Sequence, residues 1–197
     1  MVYLNTVPDR LFFYGVDGVQ DHGWGCVYRA AQNLFAALDM RPVPTIANMM
    51  DDLGVPGSAT GRQRWIEPLQ VKELLQLYCA RGTLSLGGYG PVLVGLSPRP
   101  ERMLRTQVSD MDRVHGDWRA FHADVMRHLE AAQVPVVVDD GVVGQCIAGF
   151  RGDPMDPATG DYILVDPHAT GEGQQVRTTS VDRFYASAPM MMALVLE

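Results

Sequence analysis

The chain has 197 residues, of which 47% are hydrophobic, and carries 16 Lys and Arg against 23 Asp and Glu for a formal net charge of −7. This length and composition suit one globular domain, residues 1–197, with a sizeable core; the acidic balance argues against a nucleic-acid surface and for a protein partner. Cys26, Cys79 and Cys146 are odd in number, widely spaced and without a Cys-x-x-Cys pair, which fits neither a disulfide framework nor a zinc ribbon and points to a reducing, cytoplasmic setting.

The first ten residues lack the basic start and apolar core of a secretory signal. No run reaches the roughly 20 apolar residues of a membrane span, so the chain is not expected to span one. Residues 10–14 read as a short strand and 15–25 as a glycine-bearing loop. A helix over about 26–38 follows, with Val27, Ala30, Ala31, Leu34, Phe35 and Leu38 at the spacing of one buried face. Thr45 can cap a second helix carrying Ile46, Met49, Met50 and Leu53 and stopped by Gly54, and Pro68 can open a third that ends at Gly82. Residues 83–96 alternate and read as one or two strands. Residues 97–116 are charged and aperiodic and read as a mobile surface insertion.

Asp117 can cap a helix with Trp118, Phe121, Val125 and Leu129 on one stripe. Strand-like runs follow at 134–138, 142–150 and 162–165, the last two joined by the turn-rich stretch 151–161 as in an antiparallel hairpin. Residues 180–185 suggest a short helix before a buried final strand within 189–196. Helices first and an antiparallel sheet afterwards make an α+β pattern.

Two fragments carry chemistry. In Asp21-His22-Gly23-Trp24-Gly25-Cys26-Val27-Tyr28-Arg29 a cysteine stands where a flexible loop becomes a helix, a place where backbone N–H groups and the helix dipole favour a thiolate nucleophile. Far downstream, Asp166-Pro167-His168 closes an apolar run; on an extended chain its carboxylate and imidazole would share a face. Cys26 as nucleophile, His168 as base and Asp166 as orienting acid form a triad, with the nucleophile on a helix and the base on a strand. Trp24, beside the nucleophile, is either a packing residue or one wall of a narrow cleft. Tyr14 by itself reads as a core tyrosine. Gln32 lies six residues after Cys26, off its helical face, which argues against an oxyanion role. His22 reads as an exposed loop histidine, His115 as solvated in the insertion, and His122 and His128 as lying on different helical faces, which argues against a metal pair. Cys79 reads as a core thiol and Cys146 as a strand residue.

The boxes Tyr14-Gly15-Val16-Asp17-Gly18, Gly23-Trp24-Gly25-Cys26-Val27-Tyr28-Arg29 with Gln32, and Asp166-Pro167-His168-Ala169-Thr170-Gly171 resemble those of the ubiquitin-fold modifier-specific cysteine proteases. Arg64-Trp65-Ile66, Pro135-Val136-Val137 and Phe184-Tyr185 fall in family-like order. The resemblance covers most of the chain outside about 84–118. It departs at Val27, Ala169 and the Asp139-Asp140 pair, which bear on cleft shape. Autophagy-related cysteine proteases share the Gly-Trp-Gly-Cys and Asp-Pro-His boxes but lack the Tyr-Gly-x-Asp-Gly lead-in.

The resemblance implies a papain-like fold and cleavage after the C-terminal glycine of a ubiquitin-fold modifier, both maturing its precursor and removing it from conjugates. It implies Cys26, His168 and Asp166 as the triad, Tyr14 as oxyanion donor, Trp24 and Trp65 as substrate-binding residues, and neither cofactor nor metal. The alternatives are a protease of autophagy-related modifiers, a non-catalytic modifier-binding protein, and an acyltransferase, because arylamine N-acetyltransferases also use Cys, His and Asp; a recruiting protein of unknown identity is a further candidate partner.

Overall fold

Helix α1 (Cys26–Ala37) is buried along nearly its whole length, from Cys26 to Ala36, because its apolar stripe faces the sheet while Arg29, Gln32 and Asn33 find buried polar partners. Burying side chains such as Leu34 and Phe35 contributes on the order of 2 kcal/mol each. The structure, a computed structural model, describes residues 2–56, 58–97, 106–153, 156–171, 173–188 and 190–197. Helix α2 (Ile46–Asp52) starts at Thr45, whose hydroxyl accepts from the Asn48 amide while the Asn48 side chain accepts from the Thr45 amide. Helix α3 (Pro68–Ala80) opens with proline in its first turn. Together α1, α2 and α3 cover one face of the sheet.

The strands are β1 (Val2–Asn5), β2 (Pro91–Leu96), β3 (Arg113–His115), β4 (Val136–Asp139), β5 (Gly144–Asp153), β6 (Asp156–Val165), β7 (Val176–Ser180) and β8 (Met191–Leu196). They form one sheet in the order β3-β2-β8-β4-β5-β6-β7, with β1 paired to β5. Every pair is antiparallel except β2 with β3, which is parallel. Alternate residues serve opposite layers: Val137, Cys146, Val165 and Leu194 pack towards α1, whereas Val136, Ile147, Leu164 and Ala193 pack towards α4 (Trp118–Ala131) and α5 (Val181–Ser187). The α+β expectation holds, with helices on both faces.

Several expectations are corrected. Residues 10–14 are no strand: the Asn33 side chain takes both polar groups of the Phe12 backbone, and the Tyr14 amide donates to the Pro167 carbonyl at 2.9 Å, so no neighbouring strand is left to pair with. Within 83–96 only Pro91–Leu96 forms a strand. In 97–116, Val108–Asp110 is a 3₁₀ turn, Arg113–His115 is an edge strand, and Ser97 and Thr106 are buried; residues 98–105 lie outside the described residues. The hairpin is longer than its sequence suggests, since β5 and β6 stay paired out to Asp153 and Asp156. Asp166 and His168 stand on the turn after β6, not on the strand itself. No described helix is long and apolar enough to cross a membrane.

Two histidines of α4 are locked into the core on the face away from α1. His128 Nε2 donates to the Val134 carbonyl at 2.8 Å and its Nδ1 accepts the Leu196 amide at 2.7 Å, while His122 Nδ1 pairs with the Tyr162 hydroxyl. Burial pulls both down to about 4. An unfolded chain protonates a histidine near pH 6.5, so the stability each neutral ring contributes is present above that value and lost as pH falls towards 4. His128→Gln keeps one donor and one acceptor but cannot titrate. The stability margin of wild type over His128→Gln, read from urea unfolding, is therefore expected to narrow by about 1–2 kcal/mol between pH 7 and pH 5; a constant margin would contradict this.

Candidate active site

The loop before α1 is built on a buried ion pair. Arg29 and Asp21 are both fully buried, with Arg29 Nε donating to Asp21 Oδ2 at 2.6 Å, and the guanidinium also grips both oxygens of Asp17 at 2.7 and 2.9 Å. Asp21 Oδ1 accepts the Gly15 amide at 2.9 Å, so one carboxylate ties both ends of the loop to the helix. Gly25 is required by this close approach: a Cβ there would stand 2.6 Å from that of Asp21. No side chain caps α1 and no acidic residue lies in its first turn, which leaves the helix start open to a negative charge beside Cys26.

Cys26 is buried at that helix start, and its thiol is among the neighbours that raise the pKa of both the His168 imidazole and the Tyr14 hydroxyl. His168 Nδ1 meets Asp166 Oδ1 at 2.8 Å, and the His168 amide donates to the same oxygen at 3.0 Å. The Asp166 bond first, and then Cys26, push His168 up to about 9 against the opposing effect of burial. Burial alone would raise Asp166, but the hydrogen bonds from His168 outweigh it and hold the carboxyl at about 2. His168 is therefore poised as an imidazolium beside the Cys26 sulfur at neutral pH. Tyr14 lies between two imidazole rings, His22 and His168, each with its centroid 5.0 Å away. Burial, and next the Cys26 thiol beside it, raise Tyr14 above the usual tyrosine range, so its hydroxyl keeps its proton.

Trp65 Nε1 donates to the Gly23 carbonyl at 2.9 Å, and Trp24 Nε1 to that of Gln20 at 3.1 Å. Both indoles are partly exposed, Trp24 two residues before the nucleophile and Trp65 docked on the loop that leads to it. Trp24 also packs on the core, edge-on to Tyr28, with the Arg64 guanidinium 5.2 Å from its ring centre, so packing and cleft wall are compatible for this residue. On the other side the β4–β5 turn abuts the helix start: a Cβ on Gly144 would stand 2.4 Å from Val27 Cγ2.

Of the residues singled out in the sequence, Cys26, Tyr14, Asp166 and His168 come together, with Trp24 and Trp65 alongside. Gln32 is buried between Arg29 and the Pro44 carbonyl. His22 is exposed, touching the outer face of Tyr14. His115 is not simply solvated: its Nε2 meets Asp124 Oδ2 at 2.7 Å. Cys79 and Cys146 stand apart from the site, Cys146 in β5 with its thiol directed at the Ala30 carbonyl. Sequence reasoning gave no role to Asp21 and Arg29, whose eight-residue separation carries no periodic signal. Nor did it single out Arg177, which reaches Asp166 from β7.

No protein-family model matches the chain. In sequence it is similar to Ufm1-specific protease 2 of Gallus gallus, 25% identical over 182 residues that cover 87% of this chain and 34% of that protein. It is also similar to the Ufm1-specific protease of Caenorhabditis briggsae, 23% identical over 195 residues covering 92% of this chain and 28% of that protein. In fold it is similar to the crystal structure of UfSP from C. elegans, with a TM-score of 0.68 at 16% identity over all of this chain and 34% of that one. The chain thus spans about a third of the length of these relatives.

Proposed function

We propose that this chain, a relative of the Ufm1-specific proteases in sequence and a papain-like protein in fold, is a cysteine peptidase that cleaves after the C-terminal glycine of the modifier Ufm1. The observation that carries the reading is the His168 ring, with its Nδ1 held by Asp166 at 2.8 Å and the Tyr14 ring against it, gathered at the helix start that buries Cys26. In this reading Cys26 Sγ, its proton resting on His168, attacks the glycine carbonyl as a thiolate while the Cys26 amide and the Tyr14 hydroxyl receive the oxyanion. His168 then gives its proton to the departing amine, and water, deprotonated by His168, releases the thioester. The leaving amine is a peptide nitrogen in precursor maturation and a lysine Nζ in deconjugation. We assign Trp24 and Trp65 to the walls around the modifier tail, and residues 1–197 to one catalytic domain. The three free cysteines support a reducing, cytoplasmic setting.

Because His168 holds its proton up to about 9, turnover should fall as pH rises through that value. Ufm1, ubiquitin and an autophagy-type modifier, each carrying a C-terminal electrophile, test the class: a covalent adduct at Cys26 with Ufm1 alone is expected. Adducts with the other modifiers instead, or a thioester formed from acetyl-coenzyme A, would overturn the assignment. Tyr14→Phe keeps the ring between its two imidazoles and removes only the hydroxyl. Turnover should fall roughly 10²–10³-fold, about 3–4 kcal/mol of transition-state stabilisation, with melting temperature and substrate affinity nearly unchanged. A wild-type rate would reject the oxyanion role.

A further inference from the structure

Asp166 has both oxygens in use. Oδ1 accepts from the ring and backbone of His168, and Oδ2 accepts Arg177 Nε at 3.1 Å. Arg177 is itself anchored, since its Nη2 donates to the Oε1 of buried Gln145 in β5 at 3.1 Å. Arg177 also lines a cavity of about 340 Å³ together with Asp140, Gln145 and Arg183.

We propose that Arg177 is a positioning residue of the triad that divides the Asp166 carboxylate between two cations, so that Asp166 orients the His168 ring without locking the proton on it. The proposal rests on the catalytic reading above. A carboxylate facing imidazolium alone stabilises the protonated ring more than one already paired with a guanidinium, and a ring that holds its proton too tightly is a poorer acid towards a leaving amine. Gln145 keeps the half-exposed arginine aimed at Oδ2, away from solvent. The other titratable groups facing this arrangement are Cys26 from α1, Tyr14 and His22 from the loop before it, Asp140 from the β4–β5 turn and Arg183 from α5.

The test is a histidine-ring NMR titration of the full chain, with the His168 signal assigned by its loss in His168→Gln. Removing the positive charge in Arg177→Met should raise the His168 midpoint by about half to one pH unit, a size set by one charge acting across a partly exposed carboxylate. Arg177→Lys, which keeps the charge, should leave the midpoint where it is in wild type. Arg177→Gln, which keeps a hydrogen bond but no charge, should shift it as Arg177→Met does and serves if the methionine variant fails to fold. Neutral variants whose midpoint is unmoved would make Arg177 a merely structural brace, and a downward shift would mean that Asp166 had swung away from the ring; either result overturns the proposal. Electrophile labelling of wild-type Cys26 runs alongside. Its failure would remove the catalytic reading, whereas labelling with an unmoved midpoint would remove only the role of Arg177.

Discussion

Replacing Cys26 with alanine should lower cleavage by at least about 10⁴-fold and abolish electrophile labelling, while modifier binding and the thermal melt change little. The sulfur stands at the helix start, and its neighbours His168 and Tyr14 are held by other contacts. Alanine suits a first helical turn, and the space left behind is that of one sulfur atom. The same variant carries a second readout. Cys26 is one of the two leading causes of the raised His168 pKa, so the His168 midpoint should drop from about 9 in Cys26→Ala. Stopped-flow cleavage of a modifier fusion measures the first effect and ring NMR the second; substantial residual turnover would remove Cys26 from the mechanism.

The largest effect on stability is expected at Asp21. Asp21→Ala strips Arg29 Nε of a partner in a site with no exposure on either side chain and releases the Gly15 amide as well. Asp17 still holds the far edge of the guanidinium, yet the near edge becomes a buried and uncompensated charge, which costs about 3–5 kcal/mol. Urea unfolding measures it. In a double-mutant cycle with Arg29→Met the two losses should be far from additive, because the second change removes the charge that the first left stranded. Additive losses, or a loss below about 1 kcal/mol for Asp21→Ala alone, would show that the pair does not hold the loop.

The helices were legible because their signals are local. The apolar spacing of α1, the Thr45 cap and the Ser180 side chain at the start of α5 each act within a few residues. The Cys26 and Asp166–His168 boxes were legible as chemistry, and the fold brings them to one point. The three missed strands are edge elements: β1 alternates between half-buried and exposed, β3 is three residues long and half-buried throughout, and β7 reads Val-Arg-Thr-Thr-Ser, so none has a hydrophobic pattern strong enough to declare itself. The supposed strand at 10–14 failed for the opposite reason. Its apolar residues are genuinely buried in part, but its backbone is satisfied by the Asn33 side chain and by Pro167, partners that no local pattern can reveal. Arg177 escaped notice because its meaning comes only from the register that lays β7 beside β6.

The hydrogen bond from the Tyr14 amide to the Pro167 carbonyl joins the segment leading to the nucleophile directly to the turn that bears the base. A breathing motion that parts this stitch is expected to separate the phenol from the imidazole in the same event. Slow exchange of the Tyr14 amide with deuterium and resistance of the 15–25 loop to a protease should therefore be lost together, with one shared opening free energy. Thiol reactivity and backbone protection become two readings of a single equilibrium.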